Sequence, residues 1–411
     1  MLDAPVPGPT LTDFESARST VSRAAVVTPM EGSRYLTEVL GAQVFLKCEN
    51  LQRTGSYKIR GAYNRLARLT DEEKARGVVA ASAGNHAQGV ALAARELGVK
   101  ATIFMPIGVA LPKLQATRGY GADVVLRGHT VDEPLRAAAE FATATGAVLI
   151  PPFDHVDVVI GQGTLGLEIL DQVPDVATVV VPIGGGGLIS GVASAIKQRA
   201  AQLGRDIRII GVQAANAAAY PPSLAEGHPV EVTMQPTISD GIAVSKPGEL
   251  NFEIIRHVVD DIVTVDEDVT AKALLVLIER AKLVVEPAGA VSVAAILAGK
   301  VQSDGPTVAI LSGGNIDPLV MERVVSHGLA ASERYLKLRI PLPDRPGQLA
   351  RTAEIIAEQN ANVVEVLHTR HGSGLQISDV QLEMHIETRG PEHAERVLAA
   401  LREAGYHPEV V

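Results

Sequence analysis

One lysine keeps unusual company. In "SYKIRGA", residues 56 to 62, Lys58 follows a hydroxyl residue and an aromatic and precedes an arginine and a glycine. It stands where the extended stretch "QVFLKCE" gives way to the helical pattern "KIRGAYNRLARL". An amine at a helix N-terminus feels a positive field, which favours its neutral, nucleophilic form. That is the form a Schiff-base lysine needs. A solvated surface lysine fits the same spacing, so other residues must decide. Three further stretches carry chemistry. After "VVVPI" come Gly184, Gly185, Gly186 and Gly187, then Leu188 opening a helix. Glycines admit close backbone approach, and successive N–H groups at a helix start cradle an anion. The run is neither G-x-G-x-x-G nor a P-loop. "SAGNHAQG", from Ser82 to Gly89, offers backbone N–H groups and the Asn85 amide to a carboxylate or phenolate oxygen. His86 there reads as a helix-start or packing residue. In "VAILSGGN", Ser312 follows a strand and could bond a ring nitrogen, while the two glycines leave room for a flat ligand. Each stretch taken alone is also ordinary turn chemistry.

The elements that must position these residues alternate: "GVVAAS" then "HAQGVALAARELG", and "ATVVVPI" then "LISGVASAIKQRAAQLG". Short apolar runs between helical patterns predict an α/β fold with mainly parallel sheets. Ligands in such folds bind beyond the carboxyl ends of the strands, where all these loops fall. The alternation stops near "SHGLAASERYLK". From Tyr335 the pattern predicts a strand (335–342), a helix (346–359), strands over 361–370 and 376–387, a helix (390–405) and a short final strand. This βαββαβ order makes a ferredoxin-like unit. The expected organisation is a core over 1–325, a linker over 326–334 and a C-terminal domain over 335–411.

Bulk properties exclude several function classes. With 411 residues and 46% apolar content the chain is globular, and its charge of −10 contains no basic run that would bind nucleic acid. The single cysteine, Cys48, forms no internal disulfide, fits a reducing cytoplasm and reads as a small core residue. The stretch "MLDAPVPGPTLTDFESA" has no secretory pattern. Val176 to Ile196 is uncharged, but Pro182 and the glycines interrupt it, so a strand, turn and helix are expected rather than a membrane span.

Taken together, "KCENLQRTGSYKIRGA", "SAGNHAQG", "IGGGGL", "DGIAV", "VEPAGA" and "LSGGN" resemble, over residues 15 to 325, one family. It is the fold type II pyridoxal-phosphate enzymes related to the tryptophan synthase β chain, and within them the threonine and serine dehydratases (ammonia-lyases). The resemblance implies a two-subdomain core, the smaller subdomain spanning about 55–155, and pyridoxal 5'-phosphate as cofactor. It implies Lys58 as Schiff-base lysine and proton acceptor, with Tyr57 where the family usually has Phe. Asn85 would partner the pyridine hydroxyl oxygen, Ser312 the pyridine nitrogen, and the N–H groups of Gly184 to Leu188 the phosphate. Ser82, Ala83, Gly84, Asn85 and His86 would hold the substrate carboxylate. Gly241 of "DGIAV" and Glu286 of "VEPAGA" are further matched positions, and Glu286 reads equally as a helix-start cap. The implied reaction is β-elimination from L-threonine, and also L-serine. A serine on the ring nitrogen makes a weaker electron sink than an aspartate, which favours elimination over transamination. β-Replacement and serine racemisation are the alternatives in the same fold. Ala83 stands where racemases carry a serine. Gln213, Ala217 and Ala219 replace their acidic cation loop, so no divalent metal is expected. "RIPLPDRPGQLARTAEIIAEQNANVVEV" is similar to ACT domains, small modules that often bind amino acids. Asp344, Pro346 and Gly347 would form the effector turn, and the unit could instead only dimerise. A homodimer or homotetramer acting in isoleucine biosynthesis is expected.

Overall fold

The structure, a computed structural model, describes residues 8–130, 132–370 and 379–411. The chain forms two compact units, Met1–Pro318 and Leu319–Val411.

The first unit holds two sheets. The larger has strands β1 (Met30–Gly32), β2 (Val44–Lys47), β7 (Thr178–Pro182), β8 (Arg208–Ala214), β9 (Asp261–Val265) and β10 (Thr307–Ile310), in the order β1-β2-β10-β7-β8-β9. All pairs are parallel except β1 with β2. The smaller has β3 (Val78–Ala81), β4 (Ala101–Met105), β5 (Asp123–Leu126) and β6 (Val148–Leu149), all parallel, in the order β5-β4-β3-β6. Every residue of β3, β4, β7 and β10 is buried, as expected of parallel strands covered by helices on both faces. The uncharged stretch 176–196 divides into β7, the glycine turn and the helix Gly187–Gln202. Among the described residues no helix is long and apolar enough to cross a membrane.

The strand orders place the site. In the larger sheet the chain leaves β7 toward β8, while β10 lies on the other side of β7. In the smaller sheet it leaves β3 toward β4, while β6 lies on the other side of β3. A parallel sheet opens a crevice beyond its strand ends where the order reverses. The loops at those two crevices are 183–187 with 311–315, and 82–84 with 150–154. The helix Lys58–Ala67 packs on the helix Val156–Gln172, and Gly161 permits the contact, since a Cβ there would lie 2.5 Å from the Arg60 carbonyl oxygen.

The second unit begins with the helix Pro318–Ala331, which runs through most of the segment read as a linker; the compact boundary falls at 318/319. Then follow β11 (Tyr335–Pro343), the helix Gln348–Glu358, β12 (Asn362–Thr369), β13 (Asp379–Glu387), the helix Pro391–Glu403 and β14 (Glu409–Val410). This is the βαββαβ order, folded as an antiparallel sheet β12-β13-β11-β14. Residues 376–378 of the expected third strand lie outside the described residues, as do 1–7. Leu336, Leu338, Ile340 and Leu342 alternate inward from β11 onto the two helices.

Candidate active site

Lys58 is the first residue of its helix, and the loop before it is stitched to the loop after β10. The Tyr57 N–H donates to the Ser312 carbonyl (3.1 Å), the Gly314 N–H to the Gly55 carbonyl (2.8 Å), and Ser56 bridges Gly313. Asn85 opens the helix Asn85–Leu97; its amide donates to Glu286 Oε1 at 2.6 Å and accepts from Asn315 Nδ2 at 2.8 Å. Lys58 Nζ donates to the Pro152 carbonyl at 2.9 Å, and Phe153 packs on Gly185 and Gly187. All four stretches singled out in the sequence therefore meet. The Tyr57 ring centroid lies 5.3 Å from Lys58 Nζ.

Glu286 occupies the N-cap of the helix Pro287–Leu297, yet its side chain makes no capping bond. It turns to Asn85 instead, which removes the helix-cap reading. Gly241 sits beside it: a Cβ there would lie 3.0 Å from the Ala288 Cβ and 3.8 Å from Glu286 Oε1. His86 is buried and bonds the Ile150 carbonyl through Nε2 at 2.8 Å, the packing role its position suggested. Ser82 accepts the Gly84 N–H through its hydroxyl at 3.1 Å. The N–H groups of Ala83, Asn85 and His86 donate to no protein acceptor among the described residues.

Burial brings the Lys58 ammonium down to about 8, against the opposing pull of the Glu286 carboxylate. Burial, helped by Asp240, pushes the Glu286 carboxyl up to about 7. Burial and then the Lys58 charge bring His86 down to about 3, so its ring is neutral at pH 7. In the cofactor-free enzyme, acylation of Lys58 should rise through a midpoint of about 8, whereas an ordinary lysine titrates near ~10.4. Glu286→Gln removes the charge that stabilises the ammonium, so the midpoint should fall further. Competitive labelling across pH, read by peptide mass spectrometry, measures both values. An upward move in the variant would contradict this electrostatic account.

Pyridoxal phosphate asks for an amine, an anion cradle and partners for a flat ring. The N–H groups of Gly184 to Leu188 have no protein acceptor among the described residues, and neither has the Ser312 hydroxyl. A Cβ on Gly185 would lie 2.5 Å from the Phe153 ring and one on Gly186 would lie 2.1 Å from the Tyr220 hydroxyl. The residues present therefore fit the cofactor. Gln213 is buried and accepts the Tyr220 N–H at 2.9 Å, and Ala217 and Ala219 are buried beside it. Among the described residues no three His, Cys, Asp or Glu side chains form a metal-sized group. Cys48 is buried in the core, which pushes its thiol up to about 12.

Sequence reasoning missed a buried charge network behind Lys58. Arg60 is 1% exposed and bonds both oxygens of Glu49 (2.8 and 2.8 Å) and both of Glu168 (2.7 and 2.9 Å). Lys47 adds Glu168 (2.9 Å) and Gln172 (2.7 Å). Two cations and two anions thus join β2, the turn after it, the helix Lys58–Ala67 and the helix Val156–Gln172. The one local signal is the presence of charges inside apolar runs, "VFLKCE" and "GLEIL". Asn315, which orients Asn85, was also missed although its motif was noted.

Comparison with known proteins agrees with this geometry. Residues 21–313 match the family model "Pyridoxal-phosphate dependent enzyme" and residues 338–405 match "ACT domain". An L-threonine ammonia-lyase of Thermotoga maritima is 46% identical over 98% of this chain and 99% of its own. An L-threonine ammonia-lyase of Geobacter sulfurreducens is 48% identical over 93% of this chain and 95% of its own. Among solved structures, the processed form of threonine deaminase isoform 2 from Solanum lycopersicum superposes with a TM-score of 0.73 at 38% identity, covering 79% of this chain and 95% of that one. The four-glycine turn and the half-buried Lys58 meet at two sheet crevices, and the first family match spans most of the chain: the chain belongs to the pyridoxal-phosphate dependent enzymes, and its second unit carries an ACT domain.

Proposed function

We propose that this chain is an L-threonine ammonia-lyase: it eliminates water from L-threonine, and also from L-serine, and the enamine released takes up one water on hydrolysis to yield 2-oxobutanoate or pyruvate and ammonia. The observation that carries the reading is near-full-length similarity, through both units, to two proteins of that name. The cofactor supplies a carbonyl for the amine and an electron sink for the Cα carbanion. Lys58, Tyr57, Asn85, Gly184 to Leu188 and Ser312 would hold it. The N–H groups around Ser82 to His86 receive the substrate carboxylate, since a helix N-terminus favours an anion. Lys58 Nζ, neutral above about pH 8 when the cofactor is absent, takes the Cα proton as general base. His86, neutral and tied to Ile150, is no proton donor at pH 7 and keeps the loop in register. Glu286 and Asn315 hold the Asn85 amide between them. Purified enzyme with pyridoxal phosphate and L-threonine alone should release 2-oxobutanoate and ammonia in equal amounts; a requirement for a second nucleophile would make it a β-replacement enzyme.

The second unit is read as regulatory, with an amino-acid effector at the turn of Asp344, Pro346 and Gly347. That turn is exposed; the Asp344 carboxylate accepts from Arg370 at 3.1 Å, and Gly347 takes φ +92°. Branched-chain amino acids are the first candidates, because 2-oxobutanoate feeds isoleucine synthesis. The exposed edge strand β12 offers a surface for pairing with a second copy, which supports a homodimer or homotetramer. A single buried thiol supports a reducing, cytoplasmic setting. An effector that biases a two-state equilibrium should shift the apparent threonine affinity of the full chain by about 5–150-fold. A chain ending at Pro318 should keep turnover and lose that response. Threonine saturation curves for both chains, with and without isoleucine, valine or serine, test it. Identical curves throughout would leave the second unit a structural or dimerising module.

A further inference from the structure

The glycine turn does not hold itself in place. The Gly185 carbonyl accepts from three donors, each at 3.2 Å: the Gly248 N–H, the Tyr220 hydroxyl and Asn251 Nδ2. Both side chains are 0% exposed. Two lone pairs are all a carbonyl oxygen has, so three donors saturate it. In a trans peptide the C=O of one residue and the N–H of the next point in opposite directions. The three donors therefore fix the Gly186 N–H on the opposite side of the turn. This matters because Gly186 sits at φ +100°, where glycine meets little steric resistance to a peptide flip. The clamp is itself held: Asn251 Nδ2 also donates to the Phe153 carbonyl at 3.2 Å. The Asp154 carboxylate accepts the N–H groups of Glu249 (3.0 Å), Leu250 (3.1 Å) and Asn251 (3.3 Å), anchoring the helix Glu249–Val258. Gln213 Oε1 holds the Tyr220 N–H.

We propose that Tyr220 and Asn251 are positioning residues that turn the Gly186 N–H toward the cofactor phosphate, and so set the preference for phosphorylated over unphosphorylated pyridoxal from the carbonyl side of the turn. The proposal rests on the reading of the glycine turn as the phosphate cradle. The test titrates cofactor-free enzyme with pyridoxal phosphate and, separately, with pyridoxal, by absorbance and fluorescence. Wild type should bind the phosphorylated form far more tightly. Each lost hydrogen bond is worth about 0.5–1.5 kcal/mol, so Tyr220→Phe and Asn251→Ala should each weaken pyridoxal phosphate about 3–10-fold and the double variant about 10–100-fold. Pyridoxal affinity should stay within about twofold. Damage that is merely structural would weaken both ligands alike and leave their ratio unchanged, and that result overturns the proposal. Failure of wild type to discriminate between the two ligands would instead overturn the cradle reading. Tyr220→Phe removes one oxygen and keeps the ring, so it decides the matter if Asn251→Ala does not fold.

Discussion

Replacing Lys58 with alanine is expected to lower threonine turnover about 10³-fold or more, the scale of losing a positioned general base together with the covalent partner of the cofactor. The residue is half-buried at a helix start, its amine on the Pro152 carbonyl and near Glu286. The other lysine near Glu286, Lys113, has its amine paired with Asp240 at 3.1 Å. The glycine turn 184–187, the proposed phosphate cradle, is untouched by the change. Lys58→Ala should therefore still bind pyridoxal phosphate, now removable by dialysis and not fixed to the protein by borohydride. Ammonia release, cofactor content and peptide mapping after reduction read the three effects. Retention of a tenth of wild-type turnover would remove Lys58 from its assigned role.

Arg60→Met should destabilise the first unit by about 3–5 kcal/mol, because it strands two buried carboxylates with only Lys47 to neutralise them. Arg60 satisfies Glu49 and Glu168 bidentately, and both acids are enclosed. Burial alone would raise the Glu49 carboxyl; Arg60 keeps it below its usual range. Urea denaturation of the full chain reads the loss. Adding Glu49→Gln to the variant should recover part of it, since one stranded charge disappears. A single-variant loss under about 1 kcal/mol would mean that water reaches the cluster and screens it.

The fold was legible because parallel strands buried on both faces write themselves as short apolar runs, as in β3 and β7. The C-terminal order was legible because β11 alternates over a single buried face. Three features left no such trace. Glu286 stands before a proline-started helix, which is also the signature of a cap; only the fold could show that its carboxylate turns to Asn85, 201 positions away. Arg60 meets Glu168 across 108 positions, and no periodicity marks a pair so distant. The helix Pro318–Ala331 replaced most of an expected linker because its apolar pattern, "LVMERVVSHGL", is too short a run beside a domain change to be told from a loop.

The place of β10 in the larger sheet bears on how the chain reaches its native form during synthesis. The strand joins β2 and β7 in the sheet, so Val44–Lys47 must wait for Thr307–Ile310 before gaining its parallel neighbour. The smaller sheet, complete by Leu149, has no such delay. Long-range parallel pairing is slow because loop-closure entropy precedes its reward. A nascent chain on the ribosome therefore carries two apolar strand edges open to other chains until β10 emerges, and such edges promote aggregation. Ser312 lies two residues beyond β10, so folding intermediates without β10 also lack the residue proposed to partner the ring nitrogen. The late docking of one strand thus ties two events together: a molecule that has placed Ser312 has also closed the open edges of β2 and β7.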